Sequence, residues 1–357
     1  MVINRDTIAM RTCNPRGFVL EHYLRLATTS PQDSLSVLQV MTQSPRLSQE
    51  LDVSDEHPPF FSRLGFLEAG PVNVCGFYLS GASRIFGSNA ATTAIILPMQ
   101  GTVEFRVNGC HFLSSPGVPF ILQPNVEFHA TLPPEVDAFI VQLSDHGETD
   151  QPIPLENGDP QLAALLESYL VETRFFRGHE HAVQRTGFFG AVLKRYCCGD
   201  SLAASELTPS MLMAHEHRLC RAFELIHERL PTGQDLELRV IACDAGLSIR
   251  NLYYLMGKYT GMTPYTYCQS RRLIKARESL ICHYGEDPVV ANHGRKWGFN
   301  HAGRFSSYYY GHFGEYPSDT VQGLGALKQF ADKVFSADAG IPGSKHYWYT
   351  SSVNTQA

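Results

Sequence analysis

Two stretches in the last third of the chain repeat each other. Gly246-Leu247-Ser248 returns as Gly298-Phe299-Asn300 at an offset of 52 residues, and Gly261-x-x-Pro264 returns as Gly314-x-x-Pro317 at an offset of 53. Leu252 and Phe305 each lie nine residues before their glycine, so one extra residue sits early in the second copy. In the first copy Leu238, Ile241, Ala242 and Ala245 fall at i, i+3, i+4 and i+7, the spacing of a two-turn helix. Gly246 supplies a left-handed turn position at no steric cost. Ser248 can cap a following helix whose apolar positions are Leu252, Leu255 and Met256. Helix, tight Gly turn, helix is the pattern of a helix-turn-helix unit.

The flanks fit two such units. Leu219, Phe223, Ile226 and Leu230 mark a preceding helix that Pro231 ends, and a long helix from Pro264 to about Cys282 carries Tyr267, Leu273, Ala276 and Leu280. Two units on a rigid connector present two recognition helices on one side, about one turn of DNA apart, which suits successive major grooves. The net charge of −6 argues at first against a nucleic-acid partner. Residues 216–320, however, hold 13 Lys and Arg against 11 Asp and Glu, whereas residues 1–215 hold 13 against 22. The charge is permissive for double-stranded DNA and no more.

At 357 residues the chain is long enough for two domains. Short alternating runs between 60 and 145 (GTVEFRV, GVPFILQ, VDAFIVQL), broken by Gly, Pro and Asn, predict antiparallel strands of a barrel or sandwich. The expected class is therefore α+β. Its parts are a partly helical segment over 1–59, a β domain over 60–145, a helical linker over 146–215, a DNA-binding domain over 216–320, and a tail over 321–357 with one short helix (LGALKQFADKVF). In the first segment FVLEHYLRLA and residues 35–41 read as helical. The apolar face of QLAALLESYL suggests a homodimer through the β domain and the helices between Gln161 and Cys198. A fragment from about Met213 to Gln322 is expected to fold alone.

Arg250, Tyr253 and Tyr254 share one exposed face of the first recognition helix. Arg can read guanine O6 and N7 as a pair, and Tyr can reach phosphates or stack on base edges. Ser248, Asn251 and Lys258 complete the DNA-facing set of that unit, and His301, Arg304 and Ser307 occupy the matching face of the second. Tyr308, Tyr309 and Phe313 follow the spacing of the buried face.

The segment GLSIRNLYYLMGKYTGMTPYTYCQSRRLIKARESL, followed by WGFNHAGRFSSYYYGHFGEYPSDT, resembles the AraC/XylS regulators over about residues 216–320. The stretch LPMQGTVEFRVNGCHFLSSPGVPFILQP resembles the cupin-like sensory domain of one branch. The resemblance implies a seven-helix DNA-binding domain, a sensor for a small-molecule effector and a cytoplasmic regulator that works as an activator through RNA polymerase. It also implies an internal ion pair for Arg272. The sequence departs from the family at His293 and Gly294, where the family has an apolar residue and Ala, and at Ser307 and Tyr310, where basic residues are usual. Gly costs a helix about 1 kcal/mol against Ala. The second unit is therefore expected to be the looser reader, stiffened by His293→Ile with Gly294→Ala.

The competing reading is a cupin-type enzyme with a helical appendage. A metal-bearing cupin needs about three His and an acid, and this zone has only His111 and His129. No metal or cofactor is expected. Neither the Cys197-Cys198 pair nor the other cysteines have a zinc spacing, and no stretch is long and apolar enough to span a membrane.

Overall fold

The computed structural model describes residues 18–51, 59–70, 72–89, 92–144, 157–199, 216–230, 236–283 and 285–323. The helix expected over LGALKQFADKVF lies outside them. A 3-10 turn at Glu21–Tyr23 leads into β1 (Leu24–Thr28), α1 (Pro31–Met41) and β2 (Ser48–Leu51). Then come β3 (Ser62–Ala69), β4 (Val72–Leu79), β5 (Ser83–Ser88), β6 (Thr92–Gln100), β7 (Val103–Val107), β8 (Cys110–Ser114), β9 (Phe120–Leu122), β10 (Glu127–Leu132) and β11 (Val136–Ser144). They form a six-stranded sheet, β1-β3-β4-β11-β6-β9, and a five-stranded sheet, β2-β5-β10-β7-β8. β10 shows the logic: Phe128, Ala130 and Leu132 point inward while Glu127, His129 and Thr131 face solvent. Between the sheets Phe77, Phe105, Phe120 and Phe128 make the core, with Phe105 stacked on Phe120 at 4.0 Å.

β6 and β11 lack that alternation because the outer face of their sheet is also covered. α2 (Pro160–Thr173) and α3 (His179–Cys197) lie there, with Leu162, Leu165, Leu166, Tyr169 and Phe189 against Val72, Val74, Phe139 and Val141. Gly190 permits the approach, since a Cβ there would stand 2.5 Å from Val72 Cγ1. The apolar face of QLAALLESYL is thus spent inside the chain, and the reason given above for self-association through it falls.

FVLEHYLRLA is not a helix but the 3-10 turn and β1. β1 pairs antiparallel with β3, and a register shift between Leu24 and Leu26 turns successive side chains to different faces. Leu26 enters the core between the sheets, while Leu24 packs outward with Phe18 against Ile281. A local helix pattern has lost to a pairing made about 40 residues away.

The helical part holds α4 (His217–Arg229), α5 (Leu238–Asp244), α6 (Ile249–Thr260), α7 (Pro264–His283), α8 (Val290–Lys296) and α9 (Ala302–Phe313), with residues 317–323 helical again. One core gathers Leu219, Phe223, Ile241, Leu252, Met256 and Tyr267; a second gathers Leu273, Leu280, Phe305, Tyr309 and Phe313. α7 serves both. The first core also takes in Val171 and Phe175, whose ring lies 5.4 Å from that of Phe223 and 5.8 Å from that of Tyr267. These two side chains come from outside the fragment expected to fold alone.

α7 lies against β1, and the seam is ionic. Arg271 grips Glu21. Arg277 donates to the Leu24 carbonyl at 2.9 Å and pairs with Glu315 at 2.7 Å, while Arg25 meets the other Glu315 oxygen at 2.6 Å. Burial alone would raise both carboxyls, but the Arg271 guanidinium at Glu21, and those of Arg277 and Arg25 at Glu315, hold them well below the usual carboxylate range. The internal ion pairs expected of Arg272 belong instead to its neighbours Arg271 and Arg277. Arg272 points the other way.

Candidate nucleic-acid interface

In the first unit α5 ends in a turn at Gly246, φ 69°, and Ser248 Oγ accepts from the Asn251 amide at 3.1 Å to start α6. Gly261, φ 66°, ends α6 in the left-handed position that favours glycine. Leu252 and Met256 turn inward onto the first core. Ser248, Arg250, Asn251, Tyr253, Tyr254 and Lys258 are all exposed, Tyr254 to 64%. Within the helix Arg250, Tyr253, Tyr254 and Lys258 fall at i, i+3, i+4 and i+8, which is one face.

The second unit repeats the geometry with different volumes. Gly298, φ 88°, makes its turn and Gly314, φ 75°, its stop. His301, Arg304 and Ser307 are exposed on α9, and Ser307 Oγ bonds back to the Gly303 carbonyl at 3.1 Å. His301 is the N-cap residue but contributes no side-chain cap, so α9 begins with amides that nothing in its own turn satisfies, unlike α6. Tyr309 and Phe313 are buried as the spacing implied, but Tyr308 is 45% exposed. It lies at the edge of the apolar stripe, beside the recognition face.

The residues thought to loosen this unit are fitted to it. His293 is buried, with Nε2 donating to the Asp287 carbonyl at 2.8 Å and Nδ1 2.8 Å from Ser279 Oγ. Its ring ties α8 to α7 and to the loop before it. Gly294 sits under Phe305, where an added Cβ would stand 2.9 Å from both Cγ and Cδ1 of the ring. The first unit places Ala242 and Leu252 at the equivalent positions. Small helix residue and large knob have been exchanged for a smaller and a larger one, so Gly294→Ala would overfill the site and not stiffen it.

Between the two units runs a cleft of about 440 Å³ lined by Leu236, Leu238, Tyr265, Cys268, Gln269, Arg272, Gly298, Phe299, Asn300, His301, Arg304 and Tyr308. Tyr265, 64% exposed, and Arg272 belong to this surface although sequence reasoning passed over the first and assigned the second elsewhere. Only contacts across α7 place them there.

The β part has a narrow interior of about 80 Å³ lined by apolar side chains such as Phe77, Ile85, Ile96, Phe105, Leu122 and Phe128, with Asn89, Thr42 and Gln142 at its polar edge. Gln142 Nε2 donates to the Thr42 carbonyl at 2.6 Å. Neither His111, which meets Glu104 at 3.0 Å, nor His129, stacked on Phe86, lines it. Among the described residues no group of three or more His, Cys, Asp or Glu could hold a metal ion, and no helix is long and apolar enough to cross a membrane.

The chain matches the AraC-binding-like domain family over residues 47–223 and the Helix-turn-helix domain family over residues 241–323. It is 34% identical over 288 residues to the XylDLEGF operon transcriptional activator 1 of Pseudomonas putida, which covers 71% of this chain and 82% of that protein. It is 34% identical over 105 residues to the XylDLEGF operon transcriptional activator 3 of the same organism, which covers 29% of this chain and 32% of that protein. Among solved structures the AraC-like transcriptional activator CuxR is similar at 17% identity and a TM-score of 0.37, over 71% of this chain and 96% of that one. These relatives are regulators, and the cupin-type enzyme reading is set aside. With an AraC-binding-like β-rich domain, two matched helix-turn-helix units and a relative of that identity over most of its length, the chain belongs to the AraC/XylS family of DNA-binding transcription regulators.

Proposed function

We propose that this chain activates transcription by binding double-stranded DNA through α6 and α9, under the control of a small molecule held between its β-sheets. Ser248, Arg250, Asn251, Tyr253, Tyr254 and Lys258 face one major groove, and His301, Arg304 and Ser307 the next. The observation that carries the reading is the repeated geometry itself: two recognition helices, each set by a left-handed Gly turn, whose outward faces hold donors and aromatic rings. Activation follows the relatives, which are operon transcriptional activators, and contact with RNA polymerase is the step it requires. The apolar lining of the β interior favours a small, mainly apolar effector with one polar end toward Gln142 and Asn89. The compartment is the cytoplasm, where the DNA is.

Self-association into a homodimer belongs to the same reading, since paired half-sites suit paired proteins. With the Leu162–Tyr169 face spent internally, Leu113, 71% exposed on edge strand β8, and Phe188 on α3 are large apolar side chains left outside among the described residues. Sedimentation of the full chain with and without DNA reads this directly, and a monomer in both cases removes the dimer. For the main reading, the full chain is footprinted on the DNA upstream of its neighbouring genes. A protected site whose occupancy falls steeply with salt supports it, and Arg250→Ala should cost about 1–3 kcal/mol there with relaxed preference at one base pair. No protection anywhere in that DNA would overturn it.

A further inference from the structure

We propose that the cleft between the two units is a seat for one backbone phosphate of the DNA, held by Arg272 and Arg304; this rests on the DNA-binding reading and adds a contact that neither recognition helix makes alone. Arg271 and Arg277, one residue before and five after Arg272 on α7, each hold a carboxylate, whereas Arg272 makes no ion pair or hydrogen bond among the described residues. Its guanidinium lies flat on the turn of the second unit, with Nη1 3.5 Å and Nε 3.9 Å from where a Cβ of residue 298 would be. Gly298 is needed for its φ of 88°, and the guanidinium packs on it at ordinary van der Waals distance. A desolvated flank and an open fork of N–H donors suit a bound anion.

The other wall supplies matching groups. Arg304 lines the same cleft, also without an ion pair or hydrogen bond among the described residues, and Asn300 and His301 at the uncapped start of α9 line it too. The amides of such a start favour an anion, as the positive end of the helix dipole does. Tyr265 and Tyr308, both exposed, line the cleft as well. Arg272 arises from the connector, behind the recognition helices, so it cannot reach a base edge at the groove floor. When two helices enter successive major grooves, the sugar–phosphate strand between those grooves passes the seam between the units. A phosphodiester is the anion that position meets.

Phosphate contacts are blind to sequence, so the test needs no operator. Binding of the full chain to two unrelated mixed-sequence 40-base-pair duplexes is followed by fluorescence anisotropy from about 50 to 200 mM salt. Each lost phosphate contact lowers the slope of log K against log salt by about 0.9. Arg272→Gln should lower it by that amount and weaken both duplexes by the same factor, with the melting temperature unchanged. Arg272→Lys should keep the slope, and Arg272→Gln with Arg304→Gln should lower it further. Inorganic phosphate at millimolar concentration should not displace the duplex, which separates a DNA phosphate from a free one. An unchanged slope in Arg272→Gln, an unequal loss on the two duplexes, or a slope lost in Arg272→Lys overturns the seat while leaving DNA binding intact. A wild-type chain that binds neither these duplexes nor its own upstream DNA overturns both.

Discussion

Gly294→Ala separates local propensity from packing, because the two give opposite signs. In an exposed helix the change would stabilise by about 1 kcal/mol. Here the new methyl stands 2.9 Å from Cγ and Cδ1 of Phe305 and 3.2 Å from Cε1, closer than real Cβ contacts allow. The ring cannot withdraw, because Phe299 and Tyr309 pack on it at 5.2 and 5.6 Å. Overpacking of this kind costs about 1–3 kcal/mol, so after the propensity gain the variant should lose up to about 2 kcal/mol. Phe305→Leu alone leaves a void over the glycine and should lose about the same. Together they restore the Ala–Leu pairing that the first unit uses at Ala242 and Leu252, so the double variant should be more stable than the sum of the singles implies by at least about 1 kcal/mol. The assay is urea unfolding of the full chain followed by tryptophan fluorescence, in a double-mutant cycle. Additive effects within about 0.5 kcal/mol, or a stabilised Gly294→Ala, would refute the argument that Phe305 chose its glycine.

Phe175→Ala should destabilise the helical part by about 3–5 kcal/mol, since its ring fills the first core from outside that part; a 216–323 fragment should accordingly melt below the full chain, which circular dichroism reads. Arg277→Met should cost about 3–5 kcal/mol by leaving Glu315 with Arg25 alone in a buried site, and Glu315→Gln should cost as much or more, having stranded two cations; urea unfolding checks both. Burial raises the Asp137 carboxyl from its ordinary 3.8 to about 7, against the opposing Val19 amide at 3.3 Å. The native state therefore keeps a proton that the unfolded chain releases, so this group's contribution to stability is present below about pH 4 and is lost as pH rises through about 7. Melting temperatures of the wild type should fall relative to Asp137→Asn between about pH 5 and pH 8, and a gap that does not change with pH would count against it.

The helix-turn-helix pair was legible because its signals are local. Glycines at the turns, a serine cap and apolar spacings of three and four act within about ten residues, and in this part of the chain they agree with the packing. What failed was decided at a distance. FVLEHYLRLA has helical spacing, yet β3 recruits it as a strand and a register shift sorts Leu24 from Leu26. Arg271 could not be distinguished from Arg272 on α7, because Glu21 lies 250 residues earlier. Polar His293 looked like a defect until Ser279 and the Asp287 carbonyl appeared on either side of its ring. Tyr308 shows the resolution of spacing arguments: three residues from Phe305, it falls at the stripe's edge, and the edge is exposed.

The seam between the β part and α7 has a property that an apolar seam would lack. Removing one partner of a buried ion pair leaves a bare charge in a poorly solvated site, so sliding α7 along β1 by part of a turn is expensive. Separating the two surfaces completely is different, because Glu21 and Arg271 return to water together, while Arg277 and Glu315, both on the helical side, stay paired. His22 and His312 add to this: burial lowers both, His312 to about 3, and their rings lie 5.8 Å apart at the seam. Both are therefore neutral when the seam is closed and free to take up protons when it opens. β1 is the edge strand of the sheet whose inner face lines the β interior, and its Leu24 carbonyl accepts from Arg277. Whatever shifts β1 against β3 therefore acts first on the guanidinium that locks α7, and α7 carries both helix-turn-helix units.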